Sequence, residues 1–220
     1  MGALHFLHVG KTGGSSVKEA IAGWPGITLH PHGIRLADIP VGEPVFFTIR
    51  EPLARYVSAF NSRLRAGRPR YDVAWSEGEA RAFALFTTPD QLAVAVGRRD
   101  PAAIAAMRDI THLNQPLSWW FSAAELARRA GDIVAILLQA ELAADFDHPK
   151  RRLALTGELP TDSVAAHVTP ASFDRRLSEA GAAALRRWYS DDVALFQACL
   201  EMRQAILSRA PCRPPQSLGA

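Results

Sequence analysis

The chain has 220 residues, 48% of them hydrophobic and 21% charged, with a formal net charge of +3; this length suits one α/β domain with a sizeable core, and the charge is too small to point to nucleic acid. Its 2 cysteines, Cys199 in an apolar helical stretch and Cys212 in a Pro-rich tail, indicate no disulfide framework. No apolar run is long enough to span a bilayer and no basic-then-apolar leader precedes the first strand, so the expectation is a soluble, cytoplasmic protein.

The first expected strand, 4–8, runs into Gly10-Lys11-Thr12-Gly13-Gly14-Ser15-Ser16 and then a helix-compatible segment. Glycines let backbone N–H groups turn toward one point, a lysine adds a compact positive charge, and a helix N-terminus adds its dipole. The loop therefore has the chemistry of an anion cradle. Lys11 is one of only 3 lysines, with Lys18 and Lys150, against 22 arginines. Strands are expected next at 27–30 and 44–49, the former followed by His30-Pro31-His32. Arg50 stands at the carboxyl end of the latter, where open α/β sheets place ligands, and its planar fork suits a phosphate. Pro52 suits the first turn of a helix. Leu53, Tyr56, Val57, Phe60 and Leu64 mark the buried face of that helix, and Ser58 can offer a hydroxyl to the same anion. Beyond an exposed loop at 67–72, residues 76–130 read as a helical insertion broken at Pro89, Pro101 and Pro116. A strand at 132–138 and a helix pair over 178–207 complete the pattern. The expected fold is α/β, with a central parallel sheet of about four strands flanked by helices and one helical insertion. It forms a single domain over 1–207, with 208–220 as a flexible C-terminal tail.

The loop falls just short of the nucleotide-binding pattern G-x-x-x-x-G-K-[ST], which requires glycine where the chain has His5. Its two other glycines follow the lysine instead. Taken with Arg50-Glu51-Pro52-Leu53-Ala54-Arg55-Tyr56-Val57-Ser58, the run His8-Val9-Gly10-Lys11-Thr12-Gly13-Gly14-Ser15-Ser16 resembles the sulfotransferases that use 3′-phosphoadenosine 5′-phosphosulfate. That family has a strand and K-T-G-G-[ST]-S/T for the 5′-phosphosulfate, then a strand and R-[DE]-P-x-x-R-x-x-S for the 3′-phosphate. Gly10 departs from the family's usual proline. The resemblance implies a P-loop-like three-layer fold and transfer of a sulfuryl group to a hydroxyl acceptor, a carbohydrate above all. It implies that Lys11 contacts the transferred group and the leaving oxygen. Thr12, Gly13, Gly14, Ser15 and Ser16 would surround the 5′-phosphosulfate, and Arg50 and Ser58 would hold the 3′-phosphate. No metal is required, and no ligand cluster of convincing spacing appears.

Histidine has the intrinsic pKa for general-base work near neutrality. The glycosaminoglycan 2-O-sulfotransferases, which these motifs resemble, carry His-x-His at the matching place and use a histidine there as base. His32 is accordingly the first candidate base and His30 the second. His8 reads as a strand-end packing residue, and Glu19 and Glu51 are less attractive bases. His112 and Trp119-Trp120-Phe121 can line the acceptor cleft, although three neighbouring aromatics are more often core. The stretch His167 to Ser172 matches a loop that related enzymes place over the 3′-phosphate, with Arg175 and Arg176 nearby. Two readings compete: a kinase or nucleotide hydrolase with a degenerate loop, opposed by the missing first glycine, and a non-catalytic anion-binding descendant, opposed by the intact Lys11, Arg50 and histidine pair. No readable motif encodes the acceptor or the oligomeric state.

Overall fold

The computed structural model describes residues 3–152, 157–162 and 169–208; the expected tail beyond Ser208, with Cys212, and His167 lie outside them. Along the chain run β1 (Leu4–Leu7), α1 (Gly14–Ala20), β2 (Ile27–Leu29), β3 (Val45–Ile49), α2 (Pro52–Leu64), α3 (Glu77–Leu85), α4 (Pro89–Gly97) and α5 (Pro101–Asp109). They are followed by α6 (Ala123–Arg128), β4 (Ile133–Leu138), α7 (Leu142–Arg152), α8 (Glu179–Trp188) and α9 (Ser190–Leu207).

The four strands pair in the order β2-β1-β3-β4, all parallel. β1 and β3 are buried along their whole length, as central strands covered on both faces must be. Side-chain alternation sorts the two faces. Leu4, Phe6 and Phe46 pack with Val17 of α1, Ile21 just after it, and Phe146 of α7. Leu7, Val45, Phe47 and Ile49 pack with Leu126 of α6 and Leu195, Cys199 and Ile206 of α9. The result is a three-layer α/β fold with a four-stranded parallel sheet. In β4 the register against β3 shifts between Ile133 and Ala135, which sends Ala135 and Leu137 to the α1 face and leaves Ile133 and Ile136 on the α9 face.

Strand order also locates the crevice. The chain passes from β1 to β2 on one side and then to β3 on the other, so β1 and β3 are neighbours whose outgoing loops diverge. Such a switch point opens a cleft beyond the carboxyl ends of the strands.

Helices α2 to α5 and α8 form a second core around Tyr56, Phe60, Phe83, Leu92, Met107 and Leu185. Pro89 and Pro101 each occupy the first turn of a helix, behind the caps Thr88 and Asp100. The expected breaks are therefore helix starts, where a missing N–H costs nothing.

Within this core a buried ion pair ties α3 to α2. Arg63 donates from Nε and Nη2 to the two carboxylate oxygens of Glu79 at 2.7 Å each. Glu79 also accepts from the Ser76 and Thr111 backbone N–H groups at 3.0 and 3.1 Å. Burial pushes its pKa up, but the hydrogen bonds from Arg63 and the backbone prevail and hold it at about 2. Glu79→Ala strands a buried guanidinium, and a loss of about 3–5 kcal/mol is expected in urea unfolding. The pH sign follows from the depressed pKa. The pair's contribution is complete above the ordinary carboxyl value of 4.5 and fades as pH falls toward 2; Glu79→Gln should flatten that acid limb.

Candidate functional site

The loops leaving all four strands meet at one edge of the sheet and enclose a cavity of about 870 Å³. After β1 the chain reverses to enter α1, and two residues take left-handed backbone, Lys11 at φ 67° and Gly13 at φ 89°. Glycine adopts this freely; a lysine does so at a cost of about 1–3 kcal/mol, and only where its surroundings hold it. Here they do. Arg55 Nε donates to the Gly10 carbonyl at 2.9 Å and its Nη2 to that of Gln115. The Thr12 hydroxyl donates to the Val9 carbonyl at 2.8 Å and lies 2.6 Å from the Thr48 hydroxyl of β3. A Cβ on Gly14 would fall 2.4 Å from His8 Cδ2, so glycine is what lets the His8 ring pass under α1. A Cβ on Gly10 would fall 3.2 Å from the Trp120 ring. That indole donates to the His32 carbonyl at 3.1 Å, tying the Lys11 loop to the loop after β2.

Arg50 leaves the end of β3 half-buried, and its Nε is buried without a partner among the described residues. Ser58 faces the same cavity from α2. Asn61 Nδ2 donates to the Asp174 carbonyl at 2.8 Å, holding that segment against α2, from which Thr169 and Arg175 join the lining. Among the lining residues the one carboxylate is Glu79, already engaged by Arg63. Positive charge therefore prevails. Burial, then Arg65, Arg50, Arg55 and Arg63, push the Lys11 pKa down from 10.5 to about 7. Burial also lowers Arg50, with Arg175 and Arg55 adding to the effect and Glu51 opposing it. An array of cations that depress one another is relieved by an anion among them.

Three histidines line the cavity. The His8 and His32 rings lie 3.7 Å apart, and His112 meets His32 edge-on at 5.9 Å. His112 has φ 74°, and its Nδ1 is buried without a partner among the described residues. Burial, reinforced by neighbouring positive groups, takes His8 to about 2 and His112 to about 3. His32 is lowered by burial and by Lys18 and Lys11, against a hydrogen bond to the His8 backbone that raises it.

Of the residues expected in the site, Lys11, Gly13, Gly14, Ser15, His32, Arg50 and Ser58 come together here. Thr12, Ser16 and His30 do not line the cavity. Thr12 is fully buried and its hydroxyl is spent inside the fold; Ser16 is buried in α1. The His30 ring turns back to His5, with Nε2 at 2.8 Å from His5 Nδ1 and the rings stacked at 5.1 Å. Trp120 and Phe121 belong to the core, and Trp119 stacks under Arg35 at 4.6 Å. His112 and Arg175, both named from the sequence near the site, do line the cavity, and so does His8, expected only to pack at the strand end; Gln139 joins them from the end of β4, and Arg63 lines it without any spacing that marks it.

Comparison of the chain with protein-family models, curated proteins and solved structures finds no match. Among the described residues, no helix is long and apolar enough to cross a membrane.

Proposed function

We propose that this chain transfers a sulfuryl group from 3′-phosphoadenosine 5′-phosphosulfate to a hydroxyl acceptor, with carbohydrate as the class the sequence resemblance implies. On this reading the fold is P-loop-like. One observation carries it: the Lys11 loop after β1 and Arg50 after β3, which are separate motifs in the sequence, share one electropositive cavity with Ser58. The cavity falls in the size range of small-molecule sites, and the unpartnered Arg50 Nε offers a buried donor for a phosphate oxygen. Gly13, Gly14, Ser15 and Lys11 would hold the 5′-phosphosulfate, and Arg50 and Ser58 the 3′-phosphate.

The chemistry asks the protein for position and charge more than for covalent help. The bond from sulfur to the oxygen bridging it to the 5′-phosphate breaks as the acceptor oxygen bonds to sulfur. Lys11 stabilises charge on the departing oxygen, His32 accepts the acceptor proton, and 3′,5′-adenosine bisphosphate leaves.

Thermal denaturation with nucleotides tests the reading. 3′,5′-Adenosine bisphosphate should raise the melting temperature and ATP–Mg²⁺ should not; the reverse would favour a kinase or hydrolase. Arg50→Ala should weaken the bisphosphate about 10- to 100-fold, the worth of hydrogen bonds to a charged group. It should leave 5′-AMP, which lacks the 3′-phosphate, nearly unaffected. Equal losses for both nucleotides would remove Arg50 from the 3′ site.

A further inference from the structure

Beside the main cavity lies a second, of about 740 Å³, bounded by Leu64, Ala66, Pro69, Trp75, Pro170 and Phe173. The two meet at Ala74 and Trp75, which line both. The walls of the second cavity are mainly apolar, and its charges are unequal. Arg68 and Asp72 pair with each other at 3.0 Å at the surface. Arg65 has no such relief: the residue is 7% exposed, and its Nε and Nη1 are buried without partners among the described residues. A buried guanidinium with two orphaned donors costs stability in the empty fold, since its water is stripped and nothing replaces it. Arg63, by contrast, holds Glu79, while Arg70 keeps one orphaned nitrogen, Nη1, beside its contact to Glu19 at 3.1 Å.

We propose that Arg65 is an oxyanion subsite for the acceptor, which carries a carboxylate or sulfate on an aryl or alkyl body seated between Trp75 and Phe173. This rests on the sulfuryl-transfer reading for the identity of the ligand as acceptor, and replaces its carbohydrate class with an aryl or alkyl acid; the subsite itself rests on Arg65 and its cavity. The two anionic groups of the donor already have partners in Arg50 with Ser58 and in the Lys11 loop. Arg65 faces a space lined by none of these residues. The apolar walls offer little to a sugar's hydroxyls, whereas a flat or aliphatic body buries its surface there at about 25 cal/mol per Å². Arg65 is also the charge that most depresses Lys11, so an anion bound there favours the charged form of Lys11 and, through it, the donor. Acceptor and donor should bind cooperatively.

The test titrates the full chain, by NMR, with 3-(4-hydroxyphenyl)propionate, its neutral amide and glucuronate, in wild type, Arg65→Ala and Arg65→Met. Arg65→Met retains the aliphatic stem, so one variant preserves the packing if the other does not. The acid should bind wild type about 10- to 100-fold tighter than the amide, and both variants should lose that preference. They should bind 3′,5′-adenosine bisphosphate at least as tightly as wild type, because the donor's partners stay in place and the charge that most depresses Lys11 is gone. Equal binding of acid and amide by wild type, or a preference for glucuronate, would overturn the proposal. So would a loss of bisphosphate affinity in the variants, which would assign Arg65 to the donor. Arg65-dependent selection of the acid by a protein that ignores the bisphosphate would uphold the subsite and sink sulfuryl transfer instead.

Discussion

Lys11→Met is expected to cut transfer by at least about 10²-fold and, in the same protein, to raise the melting temperature measured without nucleotide. Both effects have one cause. The Lys11 ammonium is desolvated among Arg65, Arg50, Arg55 and Arg63, and its pKa sits at about 7 instead of 10.5. Between those values the unfolded chain keeps a proton that the native chain has released, so stability rises with pH across that window. Below about pH 7 both states hold the proton and the full penalty is present. Methionine matches the reach of the stem and removes the charge. The variant should melt higher at pH 6–7, by roughly 2–4 °C for each kcal/mol relieved, and the rise in stability between pH 7 and 10 should flatten. A lower melting temperature would show that Lys11 is satisfied in the fold and not held in reserve for a ligand.

The same depressed pKa makes binding a proton-coupled event. An anion beside Lys11 restores its proton, so above about pH 7 the bisphosphate should bind with proton uptake and weaken as pH rises. Calorimetry in two buffers of different ionisation heat reads this directly, and Lys11→Met should erase the difference. Transfer should fall by about 10²- to 10³-fold at least, the usual cost of removing one group that stabilises charge on the departing oxygen. Stability given up at Lys11 in the free protein is recovered when the anion binds, which also accounts for a lysine being held at φ 67°.

Strand positions were legible because each strand is a short apolar run bounded by turn residues. The expected 4–8, 27–30, 44–49 and 132–138 appear as Leu4–Leu7, Ile27–Leu29, Val45–Ile49 and Ile133–Leu138. Convergence of the loop motifs was legible for a related reason: parallel strands deliver their outgoing loops to one edge. Which side chains in those loops face the cavity was not. Thr12 lies between Lys11 and Gly13, both in left-handed backbone, and the reversal turns its hydroxyl inward to Val9 and Thr48. His30 is still in register with β1, its N–H bonded to the Phe6 carbonyl, so its ring lies over His5. The turn at Pro31 then breaks the strand alternation and sends His32 the other way. Arg175 reaches the site because α2 packs against a segment far along the chain, through the contact of Asn61 with Asp174. No local pattern records such contacts.

His32→Ala is expected to lower turnover by about 10²- to 10⁴-fold, the usual contribution of a general base, while leaving bisphosphate affinity within about twofold. Geometry and basicity together single out His32 from its neighbours. His8, at about 2, is wedged beneath Gly14, and His112 is at about 3. Rings so weakly basic accept a proton poorly. His32 is lowered as well, but its hydrogen bond to the His8 backbone favours the protonated ring, and it is the least buried of the three. It is therefore neutral near pH 7, as a base must be before reaction, and able to hold the proton afterwards. In wild type, kcat/KM should fall on the acid side with an apparent pKa below 6.5, because burial and the charges of Lys18 and Lys11 shift His32 in that direction. The limb should vanish in His32→Ala. His112→Ala should retain it and lose less, since that ring shapes the cavity and orients His32 without accepting the proton. A limb that survives loss of His32 and disappears with His112 would exchange the two roles, and one that survives both would place the base outside the histidine cluster.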